Sequence, residues 1–415
     1  NSTFWSLMSG RLVIMTVWRQ SGLVWLGALI AAGMALLTQV LLARHFDTEV
    51  FGAISYAYAM AILISTFGFQ GIGEVAIRHQ GRLDPARCLR AAAALFTLGL
   101  IGALAWILTV GSPDTEPALL ALFLPFAIVQ IGLIAGMIAF QIDRNTIGIA
   151  LWPVGFQSVR LAVVIGIVVA GGAALTVPLG WTIALVPMAI FGLRRLRRAG
   201  DWRTREDADP RVSITRSAFP FSATRLLEFA EIQMPIVLAM PLLGAAETGR
   251  IAASLAIIQG LLLLPIAIFQ RLLRPRFHDW ARDDPGRLRR SALIGTGSML
   301  VIGAGLGLLA RPFAPELLAL LFGPEFAIPA SFLDSILLLL PIWFASIAVN
   351  STLVSRRLAD LRLGTQVVGV AILVVTPLIM GPSLGPSGII WGMVGSQCFL
   401  LVSGVTLLFF YQSKN

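Results

Sequence analysis

Residues 21–43 read SGLVWLGALIAAGMALLTQVLLA, a run from Ser21 to Ala43 without one ionisable side chain. Thr38 and Gln39 are its main polar residues. An α-helix needs about 20 apolar residues to cross the hydrocarbon core of a bilayer, and this run suffices. It ends in a short polar turn from Arg44 to Glu49, after which a second apolar run occupies 51–73. The same alternation continues along the chain. Further spans fall at 91–112, 117–139, 148–171, 174–193, 217–241, 249–270, 291–310, 328–350, 364–381 and 387–411. They account for a 415-residue composition that is 57% hydrophobic and 13% charged, with a mean hydropathy of +0.86. Soluble domains carry about 25% charged residues. A soluble enzyme, a secreted domain and a disordered chain are therefore excluded. The predicted fold class is an all-α polytopic membrane protein of about twelve transmembrane helices.

The loops sort by charge. Segments 74–90, 140–147, 194–216, 271–290 and 351–363 are rich in Arg, and the loops between them are nearly free of it. Of 31 Lys and Arg residues, only Arg44, Arg250 and Arg311 fall on the second side, and Arg160 and Arg225 fall inside spans. The positive-inside rule then places both termini in the cytoplasm and requires an even number of spans. This distribution explains the net charge of +10 without a nucleic-acid partner. The cluster Arg194, Arg195, Arg197 and Arg198 is read as a topology signal, with anionic lipid as the functional alternative. The chain opens on Asn1 rather than Met, as expected of a trimmed protein, and no signal-peptide pattern opens it. Cys88 and Cys398 give neither a disulfide framework nor a metal cluster. The connection 311–327 is read as a short interfacial helix, Phe313 to Phe322, capped by Gly323-Pro324.

The halves 1–205 and 206–415 repeat, with six spans each. Around the first outer turn, Leu41-Leu-Ala-Arg-His-Phe-Asp-Thr-Glu-Val-Phe-Gly52 aligns with Leu238-Ala-Met-Pro-Leu-Leu-Gly-Ala-Ala-Glu-Thr-Gly249. Both turns end a span, carry a Glu and restart the next span at a Gly. Parallel repeats of six spans are related by an axis along the membrane normal, with the substrate path between them.

Several segments carry a family resemblance. They are Leu41-Leu42-Ala43-Arg44-His45-Phe46 with Phe51-Gly52, and Phe67-Gly68-Phe69-Gln70-Gly71. In the second half they are Leu320-Leu321-Phe322-Gly323-Pro324-Glu325-Phe326, and Leu384-Gly385-Pro386-Ser387-Gly388-Ile389-Ile390-Trp391-Gly392. The chain resembles the bacterial polysaccharide flippases of the multidrug/oligosaccharidyl-lipid/polysaccharide exporter superfamily. The resemblance implies two six-helix lobes around a central cavity in the bacterial inner membrane. It implies transfer of an undecaprenyl-pyrophosphate-linked oligosaccharide between leaflets, beside a polysaccharide polymerase or chain-length regulator. The lipid II branch places arginines in its first span. Residues 21–43 have none, which argues against a lipid II substrate.

Few residues can carry chemistry. A charge at the bilayer centre costs at least ~2.5–3.5 kcal/mol on insertion scales, and so faces a cavity or a partner. Arg160 lies halfway along the fifth span, with Gln157 one turn before it. Arg225, Glu228 and Glu231 lie in the seventh span, and Asp334 in the outer third of the tenth. Arg presents a planar fork of donors matched to phosphate oxygens. Arg160, Arg225 and Gln157 are therefore the substrate-binding candidates. Burial disfavours the charged form of a carboxyl, which makes Glu228, Glu231 and Asp334 candidates for ion coupling. The structural alternative is an i,i+3 pair of Arg225 with Glu228.

The prolines inside spans are read as ordinary membrane-helix residues, with Pro235, just after the charged stretch, singled out as a bending point. Gly132/Gly136, Gly303/Gly307 and Gly388/Gly392 are read as close helix contacts. Trp152, Trp181, Trp343 and Trp391 are read as interface anchors, with sugar stacking as the alternative. No phosphate-binding Gly-x-x-x-x-Gly-Lys loop and no His-Glu-x-x-His occurs, and no cofactor or metal is expected. Asp47-Thr48-Glu49 mimics the acidic motif of glycosyltransferases that use lipid-linked donors, but a turn-forming Asp explains it. The expected function is thus a flippase, not an enzyme. A cation-coupled multidrug exporter is the alternative, and a membrane glycosyltransferase stands behind both.

Overall fold

A backbone in hydrocarbon has no water to bond, so each N–H and C=O must be satisfied within its own segment. Helices result. The computed structural model describes residues 2–78, 85–111, 117–199, 214–273, 276–277, 280, 283–328, 330–353 and 356–411, and no strand occurs among them. The first lobe comprises α1 (Ser2–His45), α2 (Thr48–Arg78), α3 (Pro85–Val110), α4 (Pro117–Ile142), α5 (Thr146–Ala170) and α6 (Thr176–Arg198). The second comprises α7 (Ile214–Leu243), α8 (Ala245–Pro265), α9 (Pro285–Ala310), the short α10 (Ala314–Phe322), α11 (Ala330–Asn350), α12 (Arg356–Leu384) and α13 (Pro386–Tyr411). Twelve of these are long and apolar enough to cross a membrane. The chain is a multi-pass membrane protein. The expected lobe boundary at 205/206 lies outside the described residues.

Polar side chains set several helix starts. Asp47 Oδ1 accepts from Val50 N at 2.8 Å and caps α2, which gives this acidic turn a structural role. Asn145 and Asp284 do the same for α5 and α9. α5 closes on Gly171 at φ 63°, in the left-handed region that favours glycine. α10 forms over the stretch expected as a short helix, and Gly323 ends it at φ 118°.

Within the first lobe α1 packs on α5, and α4 on α6 and α2; within the second α7 packs on α12, and α11 on α13 and α8. These are equivalent pairs under a twofold axis along the membrane normal. Gly132, Gly303 and Gly392 sit where α4 meets α6, α9 meets α11 and α13 meets α12, and a Cβ at any of them would strike the facing helix. The outward surface is apolar: Val169 is 83% exposed and Leu308 72%, as lipid-facing residues must be.

One expectation changes. Trp152, Trp181 and Trp343 are buried, so they do not anchor at the interface. Trp152 Nε1 instead donates to the Leu133 carbonyl at 2.9 Å, since an indole N–H in the interior needs an acceptor. α7 continues through Pro220, Pro235 and Pro241. The departure from α geometry comes at Pro265, where α8 passes into a π turn over Ile266–Leu272. Proline removes one ladder bond, and the π turn shifts the register of those that follow.

The lobes meet differently at the two faces. On the Arg-poor face the first turns of α2 and α8 cross in van der Waals contact. Phe51 of α2 is buried against Phe326, their ring centroids 5.5 Å apart. Arg44 reaches from α1 to the last carbonyls of α10, its Nε donating to Leu321 O at 2.8 Å. Cations suit a helix C-terminus. Toward the Arg-rich face, α2 packs along α7 in the most extensive contact between the lobes.

Candidate functional site

Between the lobes lies a cavity of about 590 Å3, lined by α1, α2, α5, α7 and α8. Gln39, Tyr58, Gln157, Arg160, Gln233 and Gln259 supply its principal polar groups, and Arg160 is the one charged residue lining it among the described residues. Gln157 and Arg160 share a face of α5 because they are one turn apart.

Arg160 is 3% exposed. Its Nη1 donates to Tyr58 Oη at 3.1 Å and to Gln157 Oε1 at 3.2 Å. Its guanidinium carbon lies 4.2 Å from the Trp181 ring centroid and 4.8 Å from that of Tyr58. Trp181 Nε1 donates to the Arg160 carbonyl at 3.2 Å, which fixes ring and backbone together. Tyr58, Phe123, Phe126 and Trp181 form one aromatic cluster, with centroids 5.6 to 6.4 Å apart. The charge is held by ring faces, in cation–π geometry, and forms no ion pair with a described carboxylate. Arg160 Nε is buried with no acceptor.

A second constellation joins the lobes. Arg225 of α7 donates from Nη2 to Glu74 Oε1 of α2 at 2.8 Å, and from Nη1 to Glu228 Oε2 at 2.8 Å. Arg362 of α12 donates from Nη2 to Glu228 Oε1 at 3.1 Å. The chain Glu74–Arg225–Glu228–Arg362 alternates in sign and is neutral as a whole. Gly71 lies one turn before Glu74 and abuts Ser222 and the Ala218 carbonyl of α7, so the two helices touch at that level.

No protein-family model matches the sequence, and neither does any curated protein. Solved structures do. The MATE multidrug transporter DinF-BH superposes at TM-score 0.68 and 14% identity, covering 95% of this chain and 94% of that one. The lipid II flippase MurJ, in an inward closed conformation, gives TM-score 0.63 and 14% identity over 94% and 87%. An inward-facing MATE transporter of the MOP superfamily gives 0.55 and 14% over 96% and 94%. The chain shares the fold of these transporters.

In this fold the candidate residues separate by partner. Arg160 and Gln157 come together in the cavity. Arg225 lies outside its lining, held by two carboxylates. Glu228 accepts from two arginines. Glu231 Oε2 accepts from Gln397 Nε2 of α13 at 3.1 Å, a neutral partner. Asp334 pairs with Arg311 at 2.9 Å, both of them half-exposed or more. Glu74 and Arg362 are absent from the sequence-based candidates, because they fall in loop segments by hydropathy although α2 and α12 extend through them. Tyr58, Gln233 and Gln259 are absent too. An uncharged amide inside an apolar span is a weak signal, since many such amides only bond their own helix or a neighbour.

Proposed function

We propose that this protein is a flippase that moves an undecaprenyl-pyrophosphate-linked oligosaccharide repeat unit from the cytoplasmic to the outer leaflet by alternating access. One observation carries the reading: the only charge lining the cavity among the described residues is a cation, buried and unpaired. Such a site favours an anionic, hydrogen-bonding substrate and disfavours the organic cations that many drugs are. On this reading the Arg-rich face is cytoplasmic in the bacterial inner membrane, both termini lie there, and the protein is not an enzyme. The tail stays in lipid, leaving between α1 and α8. Exposed Gly33 and Gly260 border the cavity there, whereas the seam between α2 and α7 is packed shut. Glu231 is the preferred ion-coupling residue because its partner is a neutral amide. Glu228 and Asp334 are held by arginines. A polymerase or chain-length regulator is the natural protein partner.

A cation-coupled multidrug exporter is the second reading, favoured by the fold shared with DinF-BH. Liposome reconstitution separates the two. Fluorescent undecaprenyl-pyrophosphate oligosaccharide is followed between leaflets for the wild type and Arg160→Ala. Transfer by the wild type that the folded variant loses is expected. Absence of lipid transfer together with efflux of a cationic dye would overturn the flippase.

A further inference from the structure

We infer that the cavity holds sugar rather than pyrophosphate, and that it is built for a glycan segment bearing a single anionic group. The inference rests on the flippase reading and deepens it. A pyrophosphate diester brings two negative charges. Arg160 is one cation, and the described lining holds no second. A two-charge group seated there would keep a net charge inside the membrane, where charge is costly.

The guanidinium is also geometrically committed. Trp181 and Tyr58 lie side by side against it, their ring centroids 4.2 and 4.8 Å from the guanidinium carbon and 5.8 Å from each other, and Nη1 is engaged by Tyr58 and Gln157. Its Nε is buried without an acceptor, so the cation keeps unsatisfied donor capacity. One guanidinium accommodates one planar oxyanion in the two-bond arrangement that carboxylates and phosphates accept.

The rest of the polar lining suits hydroxyl groups. Gln39, Gln157, Gln233 and Gln259 project from four different helices into the cavity. Gln39, Gln233 and Gln259 make no hydrogen bond with other described residues. Each carboxamide offers donors and an acceptor, and each sugar hydroxyl is both. The volume of about 590 Å3 falls within the roughly 300–1,000 Å3 of small-molecule sites. The recognised class is therefore an oligosaccharide with one acidic residue at the level of Arg160. The pyrophosphate and tail lie outside this lining.

The test uses the full-length protein in liposomes and two undecaprenyl-pyrophosphate oligosaccharides that differ only in one sugar, a hexuronate in one and the matching hexose in the other. The hexuronate lipid is expected to move about tenfold faster or more at limiting concentration, and Arg160→Gln to abolish that preference. A wild-type arm needs no variant to fold: excess bare undecaprenyl pyrophosphate is expected to leave transfer of the hexuronate lipid unchanged. Equal transfer of both lipids, or strong competition by the bare pyrophosphate, would place pyrophosphate on Arg160. That result overturns this inference and leaves the flippase standing. Transfer of neither lipid overturns the flippase and the inference with it.

Discussion

Gly52 and Gly249 meet across the axis between the lobes. A Cβ on Gly52 would lie 2.8 Å from Gly249 N, and one on Gly249 would lie 3.3 Å from Gly52 N. The contacts are reciprocal, since Gly52 abuts the Ala245 carbonyl and Gly249 abuts the Thr48 carbonyl. The same shift in numbering relates both pairs, and it is the shift that aligns the two outer turns in sequence. The repeat is therefore a physical symmetry, with its axis passing between these glycines. Backbones approach this closely only where no side chain intervenes.

Substituting either glycine should hold this face open. Overpacking costs about 1–3 kcal/mol, enough to shift a two-state equilibrium by a factor of about 5 to 150. Spin labels on Glu49 and Ala246 of a Gly52→Leu protein should report a longer or broader distance distribution than in the parent. Unchanged distributions would mean that the contact does not limit opening.

The inter-lobe ion chain should be unequal in its parts. Glu74 and Arg225 are 36% and 37% exposed in their side chains, so solvent screens their pair and Glu74→Gln should cost at most ~1 kcal/mol. Glu228 serves two arginines and is 27% exposed. The carboxamide of Glu228→Gln keeps one acceptor oxygen and puts a donor where the other was, so one arginine loses its bond and the charge of both is less compensated; the change should cost more, about 1–3 kcal/mol. Thermal unfolding in detergent measures the order, and a larger loss for Glu74→Gln would refute it.

Trp181 should support substrate binding through Arg160. Trp181→Leu removes one ring face and the donor to the Arg160 carbonyl, and should weaken lipid-linked oligosaccharide binding by ~0.5–2 kcal/mol. Trp181→Phe should retain part of the affinity. Titration in detergent would reveal it, and equal binding by both variants and the wild type would remove Trp181 from the site.

Glu231 should couple transport to an ion gradient. Glu231→Gln keeps a hydrogen-bonding partner for Gln397, since amides can pair with one another, so the protein should fold. Transfer should continue downhill but lose its response to an imposed proton gradient. Persistence of that response would assign coupling elsewhere.

What the sequence alone determined is whatever depends on local order along the chain. Uncharged runs such as 21–43 specified helices that cross lipid, because an unbonded backbone is too costly there. The spacing of arginine between spans sorted the loops into two faces, and the repeated turn fixed the glycines that meet on the axis. Arg160 and Gln157 were legible together because one helical turn joins them. Glu74 and Arg225 are 151 residues apart, and nothing local announces their pairing. Trp181 beneath Arg160 is the same case. Which faces of two helices meet is set by packing over their whole length, so only the tertiary structure decided that Arg160 stands unpaired in the cavity while Arg225 is neutralised at the seam.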